Sequence, residues 1–137
     1  MNRQNFKSLA AIRLQEAKLL FRNAKYDGAY YLAGYAVECA LKACISRLTR
    51  QHDFPDLETV KKSYSHDLAQ LAKIAGLEIA MNRAFDLDSR FNVNWGVVKD
   101  WTESSRYDRH TSTEARDLLR AITDKKSGVM QWLRQRW

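Results

Sequence analysis

The stretch Tyr26-Asp27-Gly28-Ala29-Tyr30-Tyr31-Leu32-Ala33-Gly34-Tyr35-Ala36-Val37-Glu38-Cys39-Ala40-Leu41-Lys42-Ala43 decides the fold. From Ala29 to Leu48, apolar side chains fall on every side of a helical period, with small residues between the large ones. A helix that is apolar all round belongs at the centre of a bundle or in a subunit interface, and its small residues let other backbones approach. Asp27 reads as its N-cap, with Tyr26 and Tyr31 spaced as a hydrophobic staple. Glu38 and Lys42 stand at i and i+4 in the favourable order and are expected to pair. Burial makes such a pair costly unless it is satisfied, so a structural role is preferred to a ligand contact.

Working outward, Phe6, Leu9, Ala10, Ala17, Leu20, Phe21 and Ala24 recur at helical spacing and predict a first helix from Asn5 to Ala24. Residues 51–65 include Pro55, the only proline, and read as a loop with a short turn. Ser65 or Asp67 caps a short helix over Leu68, Leu71, Ile74 and Ala75, closed by Gly76. Leu77 to Leu87 resumes helical character, whereas Asn92 to Trp101 has no decisive pattern. Thr111-Ser112-Thr113-Glu114 has the form of a capping box and starts a last helix with the stripe Ala115, Leu118, Ile122, Val129, Leu133 and Trp137. Lys125-Lys126-Ser127-Gly128 is a weak point within it. No segment alternates with period two. The expected class is all-α, an up-and-down bundle of four to five helices in one domain over residues 1–137.

Composition agrees. The chain has 137 residues, 45% of them hydrophobic and 11% aromatic, which is too apolar for a disordered segment. The net charge of +7 is uneven: +5 over residues 1–26, −1 over 27–100 and +3 over 101–137. Terminal helices packed side by side would make a positive face suited to phosphates; a merely solvated basic surface is the other reading. Cys39 and Cys44, five apart on one helix, point to different faces and are expected to be buried thiols rather than a disulfide. No zinc pattern or other metal or cofactor set is expected. Glu38 and Lys42 interrupt the longest apolar stretch, so no membrane span is expected. Glu16 and Lys18 interrupt any signal-like apolar region, and the expected location is the cytoplasm.

The run Ala24 to Ala43 resembles the HEPN family (higher eukaryotes and prokaryotes nucleotide-binding domain). The similarity extends to Asp53-Phe54-Pro55, to Ser65-His66-Asp67-Leu68 with Leu71, and to Trp101 followed by Arg106-Tyr107. The resemblance implies a helical bundle, commonly a homodimer, often encoded or fused beside a minimal nucleotidyltransferase. Many members resemble metal-independent RNases acting as toxins or in defence; others are similar to binding or scaffold domains. The excess apolar surface of the second helix, with Trp132 and Trp137, also suggests a dimer.

The family's RNase signature is an Arg followed within a few residues by His near the start of the last long helix. Arg106 and His110 stand there, separated by three residues, closer than the family spacing. Such a His would take a proton from a ribose 2′-hydroxyl while Arg stabilises charge on the phosphorus oxygens. Arg47 and His52, at the end of the second helix, are a coincidental pair. Tyr107, Arg109, Glu38 and Lys42 complete the candidate set as RNA- or nucleotide-binding residues. Each has a plainer reading. Arg106 is preferred as an anchor to Glu38 or another buried acid, Tyr107 as a packed aromatic, and Arg109 and His110 as solvated loop residues. His66 reads as a helix N-terminal residue with a local hydrogen bond. The expectation is therefore a nucleotide- or RNA-binding helical domain that, if active, is the metal-independent RNase toxin of a two-component module with a minimal nucleotidyltransferase. The alternative is a non-catalytic interaction module that docks such a partner.

Overall fold

A computed structural model describes residues 1–51 and 57–137; His52 and Asp53-Phe54-Pro55 lie outside them. The helices are α1 (Arg3–Arg22), α2 (Tyr26–Gln51), α3 (Leu57–Lys62), α4 (Leu68–Ile74), α5 (Glu78–Leu87), α6 (Ser89–Lys99), α7 (Ser112–Thr123) and α8 (Val129–Arg134). A short 3-10 helix, Glu103–Tyr107, lies between α6 and α7. Among the described residues there is no strand, and no helix is long and apolar enough to cross a membrane.

The helix that is apolar all round is the centre of the bundle. α2 packs against α1, α4, α7, α8 and the 3-10 helix. Ala29, Ala33, Ala36, Val37, Ala40, Leu41 and Ala43 are fully buried in that contact. Much of the apolar surface of α2 is thus buried within one chain, whereas Tyr30, Tyr31, Leu32 and Tyr35 stay half-buried, as do Trp132 and Trp137 against the core. Cys39 and Cys44 are buried free thiols, and desolvation pushes each up to about 11.

α1 and α2 form a tight hairpin. Asn23 Nδ2 donates to the Leu19 carbonyl at 2.9 Å, and Ala24 takes a left-handed φ of +59° to turn the chain. The break thus falls at residues 23–25, and α2 starts two residues earlier than an Asp27 N-cap implies. Asp27 is consequently in its first turn rather than at its N-cap, and Tyr26 meets Phe21 edge-on at 5.5 Å rather than stapling Tyr31.

Several expected caps are present. Asp67 caps α4 by accepting from the Gln70 amide, Gly76 turns with φ +73°, and Thr111 and Glu114 close a capping box on α7. The segments outnumber the four or five expected for two reasons. Asp88 accepts from the amides of Arg90 and Phe91, starting a helix over residues whose pattern was undecided. The last helix divides at its weak point. Asp124 accepts from the amides of Lys126 and Ser127, and a Cβ on Gly128 would lie 2.4 Å from the Asp124 carbonyl. The Ser127 hydroxyl donates to Asp88 at 2.8 Å, fastening this turn to the start of α6.

The two basic ends of the chain meet. Arg3 Nε donates to the Trp137 carbonyl, the Lys7 ammonium lies 5.3 Å from the Trp137 ring, and Arg47 donates to the Arg136 carbonyl at 3.1 Å.

Candidate functional site

The segment from Trp101 to Thr111 is laid over α2 by one large plug. The Trp101 ring is 1% exposed, stacks on Tyr31 and occupies the space left by Gly34. A Cβ on Gly34 would fall 2.2 Å from that ring. With Trp101 and Ser105 buried, the 3-10 helix turns Arg106 and Tyr107 outward. Tyr107 is 77% exposed, and the Arg106 guanidinium carbon lies 4.8 Å from its ring centroid. Tyr107 is therefore not the packed aromatic expected. Arg106 pairs with Glu103 at 3.5 Å, so its acid is a neighbour on the same short helix and not Glu38.

Farther along, Arg109 Nε meets Asp27 at 3.0 Å, its side chain otherwise 95% exposed. The other Asp27 oxygen accepts the backbone N–H of His110. This long-range contact uses the carboxylate that the sequence reading gave to capping. The His110 side chain is only 9% exposed rather than solvated. Its ring stacks on Tyr30, and Nδ1 lies 3.2 Å from Glu114 Oε2. Nε2 is buried without a hydrogen-bond partner among the described residues. The His110 hydrogen bond, followed by those of the Thr111 amide and hydroxyl, holds the Glu114 carboxyl below its ordinary value. Burial, reinforced by the charges of Glu114, Asp100 and Asp108, pushes the Tyr30 phenol up.

A second network contains the remaining candidates. Glu38 is buried in α2 and accepts from Lys42 at 3.3 Å, the pair expected from their spacing. Its other oxygen lies 2.9 Å from His66 Nδ1. His66 Nε2 in turn lies 3.1 Å from Glu103. The bond expected of His66 was local; the observed one spans 28 residues of sequence. Lys42, Glu38, His66, Glu103 and Arg106 thus form one chain of contacts, while His110 belongs to another with Tyr30, Asp27 and Glu114. Tyr35, Glu38, Lys42 and His66 line a cleft of about 600 Å³ beside the start of α1. Among the described residues no three His, Cys, Asp or Glu gather as a metal site.

These features define an all-helical module that carries exposed basic and aromatic groups on one loop and two histidine–carboxylate networks behind it. The chain matches the HEPN domain over residues 4–134 and belongs to that family. It is accordingly a helical module related to nucleotides or RNA. No curated protein and no solved structure matches it.

Proposed function

We propose that this HEPN chain binds RNA or a nucleotide through the segment from Glu103 to His110. The observation that carries this reading is the Arg106 guanidinium lying over an outward-facing Tyr107. An exposed aromatic face stacks a base of any identity, and an adjacent guanidinium offers paired donors to a phosphate. Arg109 adds a second cation, and Lys42, steadied by Glu38, adds one in the cleft reached through His66. The test is fluorescence anisotropy with a short labelled single-stranded RNA. Tyr107→Ala is expected to weaken binding about tenfold. Equal affinities for wild type and variant reject the assignment.

A second reading, metal-independent RNA cleavage, is favoured by the Glu114–His110 contact. A carboxylate at Nδ1 orients an imidazole, and Nε2, which has no hydrogen-bond partner among the described residues, would exchange a proton with substrate once RNA binding uncovers it. In this reading His110 takes the proton of a ribose 2′-hydroxyl as that oxygen bonds to phosphorus and the bond to the 5′-oxygen breaks, the proton then passing to the departing 5′-oxygen, while Arg106 stabilises charge on the phosphorus oxygens. Incubation with RNA in chelator decides it, because cleavage that survives both Arg106→Ala and His110→Ala removes these roles. An active enzyme would suit the toxin half of a pair with a nucleotidyltransferase. A chain that neither binds nor cuts RNA would instead use this segment to dock such a partner.

A further inference from the structure

We infer that Glu103 masks the Arg106 guanidinium and that His66 controls that masking, the two joined by a bridge that holds only while His66 is protonated; the inference rests on the RNA-binding reading above. Each ring nitrogen of His66 faces a carboxylate oxygen, Glu38 Oε1 at 2.9 Å and Glu103 Oε2 at 3.1 Å. A carboxylate only accepts, and a neutral imidazole carries one N–H. Both contacts are therefore hydrogen bonds only when the ring carries protons on both nitrogens. When one proton leaves, one contact sets lone pair against lone pair and must open.

The burial of the two acids decides which one opens. Glu38 is 3% exposed, sits in the most buried helix and is also held by Lys42. Glu103 is 34% exposed and stands on a single short 3-10 helix. Glu103 is the partner that lets go. Its other oxygen faces Arg106 Nη2 at 3.5 Å, a loose ion pair. While His66 is charged, it shares the Glu103 carboxylate and leaves the Arg106 guanidinium available to a phosphate. Once His66 is neutral, that carboxylate turns fully to Arg106 and competes with the phosphate for the guanidinium.

The charged groups around His66 allow this. Glu38 and Lys42 face it from α2, and Glu103 with Arg106 from the 3-10 helix. Lys99 at the end of α6 and Asp67 at the start of α4 line a cleft with it. Arg3, Tyr35 and Tyr64 share the cleft on the other side. The Asp67 carboxylate is already engaged by the Gln70 amide. The His66 side chain is 43% exposed, so solvent protons reach it.

The experiment follows the full chain by NMR and by RNA anisotropy across the pH range in which an imidazole changes charge, about 5 to 8. In wild type the Glu103–Tyr107 amide signals are expected to move with the His66 ring signal, and RNA binding to be about tenfold tighter at the acid end. Glu103→Gln keeps every histidine yet is expected to bind tightly at all pH values, and His66→Gln is expected to show no dependence either. Amide signals that ignore His66 overturn the bridge whether or not RNA binds. Signals that follow it in a chain that binds no RNA support the bridge and overturn the RNA reading. A wild-type profile in Glu103→Gln assigns the pH dependence elsewhere and overturns the masking role.

Discussion

The imidazole of His110 lies flat on the ring of Tyr30, with centroids 3.8 Å apart and planes 14° from parallel. Together with Glu114 at Nδ1 and Asp27 on the backbone amide, this stack fixes the ring and covers it. The first prediction concerns that cover. Diethylpyrocarbonate, read out by mass spectrometry, should modify His66 quickly and His110 slowly in wild type, because His66 is 43% and His110 only 9% exposed. Tyr30→Phe should leave this order unchanged. Tyr30→Ala should bring His110 up to the rate of His66 and lower stability by about 2–3 kcal/mol. A His110 that stays slow in Tyr30→Ala would show that something other than the stack protects it.

Glu114 makes the second prediction one of pH. Its carboxyl is held below the ordinary value by His110 and then by the Thr111 amide and hydroxyl. A carboxyl lowered in the folded state contributes stability that is present above the ordinary value and lost as pH falls through the lowered one. Glu114→Gln retains a capping residue but no charge. Its Tm should fall below that of wild type at neutral pH, and the gap should close as pH drops below about 4. A gap that is constant down to pH 3 would show that shape rather than charge matters there.

What the sequence made legible was what acts within a turn or two of helix. The Thr111–Glu114 box, the Asp67 cap, the Gly76 turn and the Glu38–Lys42 pair each rest on neighbours four residues away or fewer. The all-round apolarity of α2 likewise announced a central helix. The contacts that build the site join distant positions instead. Asp27 reaches His110 across 83 residues, and a short carboxylate beside a helix start serves equally well as a cap, so its local signature misled. His66 finds Glu38 only because α4 folds back on α2. The signal for α6 was present in Asp88 followed by Phe91, Trp95 and Val98, all three buried, but Gly96 and the intervening asparagines weakened it.

Gly34 offers a third prediction, because it tests how the loop is anchored. A methyl group there would overlap the Trp101 ring at 2.2 Å, and Trp101 is fully packed with no solvent side to retreat to. Overpacking of this kind costs about 1–3 kcal/mol. Gly34→Ala should lower the urea midpoint accordingly. It should also shift the near-UV signal of Trp101 and loosen the segment that follows, so that amide exchange at Ser105 and Arg106 quickens more than at Leu118 in α7. Uniform quickening would mean that the ring anchors the whole bundle rather than this loop.

Arg109 supplies the last prediction, on salt. Its guanidinium is almost wholly exposed and meets Asp27 at the surface, where an ion pair adds little to stability. Arg109→Ala should therefore leave the Tm nearly unchanged. Its effect should appear in RNA binding, because each phosphate neutralised on a single strand adds about 0.7 to the slope of log affinity against log salt. Losing Arg109 should lower that slope by about 0.7. Asp27→Asn, which removes the competing carboxylate, should tighten binding at low salt even though it weakens the hold on the His110 amide. If the slope is the same in wild type and Arg109→Ala, no phosphate reaches this arginine. The contact surface would then end at Tyr107 and leave Arg109 as the solvated residue that its plainer reading made it.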